Sequence, residues 1–125
     1  EAMRAAYILK EEYGIDTKIF NLHSLKVPAP MRKTMCSPFS AIDYGAIIKA
    51  AKETIAVMTL EENQIGGMGN YIAAMLLEEG VNSRFGRMGI EDRFGDSANS
   101  WELTYAFGLA AEYVAKKGIE LVRGK

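Results

Sequence analysis

The chain is poor in the residues that build reactive or cross-linked sites. It holds one cysteine, Cys36, and one histidine, His23. A single thiol excludes an intrachain disulfide, and so few soft ligands leave no basis for a zinc or iron centre. A reducing cytoplasm is the expected compartment. No run approaches the roughly 20 apolar residues of a membrane span, and no signal peptide is visible. Neither sign of charge prevails: 15 Lys and Arg against 16 Asp and Glu give a net charge of −1, mixed along the whole length. Without a basic stripe, neither nucleic acid nor an anionic membrane is an expected partner. What is present is apolar bulk. The 125 residues are 49% hydrophobic and 25% charged, which suits one domain burying roughly two-thirds of its unfolded surface.

Helix and strand signals alternate along that domain. Ala2, Ala6, Leu9 and Tyr13 form one apolar stripe of a helix that stops at Gly14, where glycine accepts the left-handed conformation. Ile15 to Leu22, "IDTKIFNL", is rich in β-formers and reads as a strand. All three prolines, Pro28, Pro30 and Pro38, fall in the next stretch and predict a long loop from Val27 to Ala41. Asp43 can cap the helix "YGAIIKAAKE", and Thr54 to Leu60 is a buried-type strand without polar alternation. A helix from about Gly69 to Glu79, a third strand from Ser83 to Ile90, a short helix from Ser100 to Tyr105 and a last helix, "LAAEYVAKKGIELV", complete the order. That order, α-β-α-β-α-β-α, predicts an α/β fold: a three-layer α/β/α sandwich, a mostly parallel sheet with helices on both faces. The whole of 1–125 reads as one domain. A chain that opens on a helix is expected to lack the strand that a right-handed crossover places before it, so that a longer polypeptide or a partner chain would supply it.

The stretch "EENQIGGMG", from Glu61 to Gly69, carries three possible chemistries. A glycine-rich turn between strand and helix can present backbone N–H groups to a phosphate. The run lacks the Lys-Ser/Thr of a P-loop, however, and its G-G-x-G spacing is not that of a dinucleotide fold. Glu61 and Glu62 stand where a strand end meets the crevice in which α/β sheets hold ligands. As neighbours in an extended segment they point to opposite faces, which disfavours an acid/base dyad. The favoured reading is a tight corner in which Gly66, Gly67 and Gly69 permit close helix–sheet packing, with the acids solvated or paired locally.

The same stretch, with "RMGIEDRFGDSANSWEL" and "FGLAAEYV", resembles the C-terminal domain of transketolase, a family shared with 1-deoxyxylulose-5-phosphate synthase. Thr59, Glu61, Glu62, Gly66, Gly67 and Gly69 match the family's Thr-x-Glu-Glu-His stretch running into Gly-Gly-x-Gly, with Asn63 and Gln64 where the family often has His. Asp92, Phe94, Gly95 and Ser97 match its Asp-x-Phe-Gly-x-Ser, with Ala98-Asn99 replacing Gly-Ser. Phe107, Gly108 and Leu109 fit a helix that ends in Tyr-Gly-Leu. The opening "EAMRAAYILKEEYGID" is similar to the helix after the family's first central strand. The β subunits of pyruvate dehydrogenase share the domain but lack the Asp-x-Phe-Gly signature.

The resemblance implies a C-terminal domain or split subunit of an enzyme that moves a two-carbon ketol unit between sugar phosphates. Thiamine diphosphate and Mg would belong to the complete enzyme and be held by the domains that precede this one, as the family's Gly-Asp-Gly-to-Asn motif is absent here. It further implies an upstream thiamine-binding portion as partner, a homo-oligomer, and a structural, assembly role with no catalytic, cofactor-binding or metal residue of this chain's own. The alternatives are the C-terminal domain of a deoxyxylulose-phosphate synthase and a stand-alone small-molecule-binding regulatory module with the same fold. For the remaining reactive types a structural role is favoured. His23 reads as a surface histidine, Cys36 beside Arg32 and Lys33 as an unreactive thiol, and Trp101, Tyr105 and Phe107 as packing residues.

Overall fold

The computed structural model of the protein describes residues 1–22, 44–64, 67–90 and 100–124. Within them, five helices and two strands follow in the order α1 (Ala2–Tyr13), α2 (Tyr44–Glu53), β1 (Ala56–Gln64), α3 (Met68–Glu78), β2 (Arg84–Ile90), α4 (Ser100–Ala106) and α5 (Ala111–Arg123). β1 and β2 pair in parallel through the intervening helix α3, which makes a β-α-β unit. The register runs from Ala56 opposite Arg84 to Leu60 opposite Met88, then shifts so that Gln64 meets Ile90.

Helices cover both faces of this pair. On one face, Val57 of β1 and Phe85 of β2 pack against Ala51 of α2 and Ile72 and Leu76 of α3. On the other, Met58, Leu60 and Met88 pack against Ala5 and Leu9 of α1 and Ala111, Val114 and Ala115 of α5. The alternation of Val57, Met58 and Leu60 between the two clusters is the period-2 rule of an extended chain. Because both faces are covered, the strand needs no polar alternation, and the continuous apolar run of β1 follows. The alanines at the α1–α5 contact keep the two helices close. Gly86 brings α5 onto β2: a Cβ at that position would lie 2.6 Å from Leu121 Cδ1.

α1 ends as its sequence predicts. Gly14 takes φ 65°, and its N–H donates to the Lys10 carbonyl at 3.0 Å while that of Ile15 donates to Leu9. The predicted strand over Ile15 to Leu22 does not form: these residues have no ladder partner among the described residues. Ile15 packs in the α1–α5 cluster and Leu22 against Ile47 and Met75 in the α2–α3 layer, so the segment passes from one helical layer to the other. Ile19 and Phe20 remain exposed. β-forming composition describes a fit to a pleated, half-buried surface, and among the described residues no strand lies beside this segment to provide one. β1 starts two residues later than its apolar run and continues through Glu61 and Glu62 to Gln64, so the paired acids sit inside the strand and not just beyond it. The proline-rich stretch and Asp43 lie outside the described residues.

Candidate functional site

The polar groups of the β1–α3 corner gather on the α3 side of the sheet. Thr59 and Glu61 follow Val57 at i+2 steps on β1, so all three share one face. Glu61 is 8% exposed, and its carboxylate closes the N terminus of α3: Oε2 accepts the Met68 N–H at 2.9 Å and Oε1 accepts the Gly69 N–H at 3.3 Å. A helix leaves its first N–H groups without intrahelical partners, and its dipole favours negative charge there. Here a side chain seven and eight residues upstream satisfies both needs, because no side chain at the Gly67 cap does so.

Gly67 and Gly69 fit around these groups. A Cβ on Gly67 would stand 3.1 Å from Glu61 Oε2, and one on Gly69 would stand 2.8 Å from Thr59 Oγ1 and 2.9 Å from Cγ and Cδ of Arg87. Arg87 lies opposite Thr59 in the strand register. Its aliphatic stem crosses the first turn of α3 over Gly69, and its Nη1 donates to Asn70 Oδ1. Thr59 Oγ1 is buried and has no hydrogen-bond partner among the described residues.

Of the residues singled out from sequence, the structure brings together Glu61, Gly67 and Gly69. Glu62 continues the β1 backbone. Gly66, Asp92, Phe94, Gly95, Ser97, His23 and Cys36 lie outside the described residues. Tyr105, expected as packing, is exposed, with its ring edge-on to Tyr113 at a centroid distance of 5.3 Å. Sequence reasoning missed Asn70 and its contact with Arg87. The available signal was the pairing of Thr59 with Arg87 across two parallel strands. A surface groove between α1 and α5, about 470 Å³ in volume, is lined by Ile8, Tyr13, Glu112, Lys116 and Arg123. Glu112, Lys116 and Arg123 are exposed.

Two helical layers around a parallel β-α-β unit, with the strand-to-helix corner closed by its own carboxylate, define an α/β domain of the kind that places polar groups at the carboxyl ends of its strands. The family model for the transketolase C-terminal domain matches residues 35–114, and the chain belongs to that family. A protein of Methanocaldococcus jannaschii described as a transketolase C-terminal section is 36% identical over 121 residues, 96% of this chain and 33% of the relative. A subunit of the apulose-4-phosphate transketolase of Phocaeicola vulgatus is 31% identical over 98% of this chain and 34% of its own length. A 1-deoxy-D-xylulose-5-phosphate synthase of Syntrophotalea carbinolica is 37% identical over 75 residues, 59% of this chain and 12% of that enzyme. The chain thus spans about a third of the first two relatives.

The family implies thiamine diphosphate for the complete enzyme, with Mg expected beside it from the sequence. The described residues do not fit that pair. No group of three His, Cys, Asp or Glu side chains is placed to hold the metal among the described residues, and the α3 terminus, with Glu61 on its amides, supplies no ligand set for a metal-bound diphosphate. Nor is any helix there long and apolar enough to cross a membrane.

Proposed function

We propose that this chain is the C-terminal domain, or the separately encoded C-terminal portion, of a thiamine-diphosphate-dependent transketolase, and that its own part in ketol transfer between sugar phosphates is structural. The observation that carries this reading is the pair of relatives described as a C-terminal section and a subunit, matched along nearly all of this chain while it spans a third of each. When bound, thiamine diphosphate supplies the nucleophile and electron sink, and we place it with its metal in the thiamine-binding portion. Here Glu61 fixes the β1–α3 corner and Gly86 seats α5 on β2, giving that portion a firm surface to assemble on. The assembly works in the cytoplasm as a homo-oligomer. A strand from outside 1–125 completes the sheet. Support comes from β1, paired on one side only among the described residues, and from Ile15 to Leu22, β-forming in composition yet without a ladder partner there. A second reading, a portion of a 1-deoxyxylulose-5-phosphate synthase, is favoured by the 37% identity to such an enzyme.

The test is reconstitution. The chain by itself should neither bind thiamine diphosphate nor transfer a ketol unit, and its mixture with the thiamine-binding portion should do both. Calorimetry that finds micromolar cofactor binding by this chain alone would overturn the reading. Formation of 1-deoxy-D-xylulose 5-phosphate by the mixture would select the synthase.

A further inference from the structure

The first turn of α3 offers more hydrogen-bonding capacity than Glu61 uses. Thr59 is 6% exposed, and its Oγ1 has no partner among the described residues. That hydroxyl faces Gly69, where a Cβ would lie 2.8 Å from it, so it is aimed at the same turn whose Met68 and Gly69 N–H groups reach Glu61. Few buried hydroxyls in native proteins stay unpaired, and one directed at the positive end of an 11-residue helix calls for an acceptor. Arg87, bound to Asn70 on that turn, adds a positive charge.

A carboxylate has two oxygens, and Glu61 places one on each N–H. A phosphoryl group has three terminal oxygens. In the same position it can accept both N–H groups and the Thr59 hydroxyl as well. We propose that the Met68 and Gly69 amides, the Thr59 hydroxyl and the Arg87 guanidinium form a phosphoryl-binding site whose resident occupant is Glu61, and that a phosphorylated small molecule binds by displacing that carboxylate into solvent. Gly67 and Gly69 let the carboxylate and the Thr59 hydroxyl come this close to the turn, since a Cβ on either glycine would press on them. Local charge is held near balance as one anion replaces another, so the site stays closed to weaker acceptors at rest. This inference does not rest on the transketolase reading; it concerns the amides of this chain alone.

Nitrogen-15 amide spectra of the 125-residue chain, titrated with inorganic phosphate against sodium chloride of equal ionic strength, test it. Glu61→Gln keeps an acceptor on the α3 terminus but removes its charge. Neutral hydrogen bonds are roughly half as strong as charge-assisted ones, so phosphate should bind this variant about tenfold more tightly than the unaltered chain. The shifts should saturate at Met68 and Gly69. Adding Thr59→Val should weaken that binding several-fold. Thr59→Val alone, which leaves the cap intact, should lower the phosphate affinity of the otherwise unaltered chain in the same way. Shifts that follow ionic strength equally in E61Q and the unaltered chain overturn the proposal, as does an affinity indifferent to T59V in either background.

Discussion

Thr59, Glu61 and Gly69 meet within one turn of α3, and each carries a separate stability consequence. Replacing Glu61 by alanine leaves two N–H groups of the helix terminus without their acceptor; loss of such a cap costs about 1 to 2 kcal/mol, readable as a lower urea midpoint. Gly69→Ala should cost about 1 to 3 kcal/mol, because its Cβ would press on the Thr59 hydroxyl and the Arg87 stem. Thr59→Val should act in the other direction and stabilise by about 1 kcal/mol, since it removes a buried hydroxyl that has no partner among the described residues. At the other end of the fold, the Ala111 N–H donates to Glu1 Oε2 at 2.7 Å and holds the Glu1 carboxyl below its ordinary value, with Arg4 acting in the same sense. A folded-state value below the unfolded one means that this contact stabilises above the unfolded pKa and is lost as pH falls through the folded one. Glu1→Gln should therefore flatten the acid limb of the stability profile. The effect will be small, as solvent screens so exposed a group.

At the level of elements, the helices were legible in the sequence and the sheet only in part. α1 could be read to its last residue because Gly14 supplies a conformation that alanine adopts only under strain. Gly14→Ala at φ 65° should cost about 1 kcal/mol in thermal unfolding. α5 was readable from its apolar period despite Gly118. Ile15 to Leu22 misled because strand formation depends on a neighbour, and no local pattern reports whether one is present. The polar end of β1 escaped for a related reason. Glu61 to Gln64 lack β-forming character; the register breaks after Leu60 and resumes only at Gln64, and Glu61 is held by the α3 amides. The corner was therefore recognisable as a corner, while the identity of its cap was not. That cap required knowing that Thr59 and Glu61 share the face on which α3 lies.

For the whole molecule, β1, paired on one side only among the described residues, sets the expectation for hydrogen exchange. Amides shared between β1 and β2 should be protected in the chain alone, and those of Ile15 to Leu22 should exchange fast. Assembly with the thiamine-binding portion should slow the second group. Protection of Ile15 to Leu22 in the lone chain would contradict the added strand. The two apolar clusters have a further consequence for how this molecule comes apart. The α1–α5 cluster and the α2–α3 cluster share no side chain; among the described residues the strand pair and the Ile15–Leu22 segment touch both. Leu9 and Ile72 lie in different clusters and share no neighbour, so Leu9→Ala and Ile72→Ala should behave as independent events, with penalties that sum. Two hydrophobic compartments divided by so thin a wall owe their common unfolding to the strand pair and to the one described segment that crosses beside it.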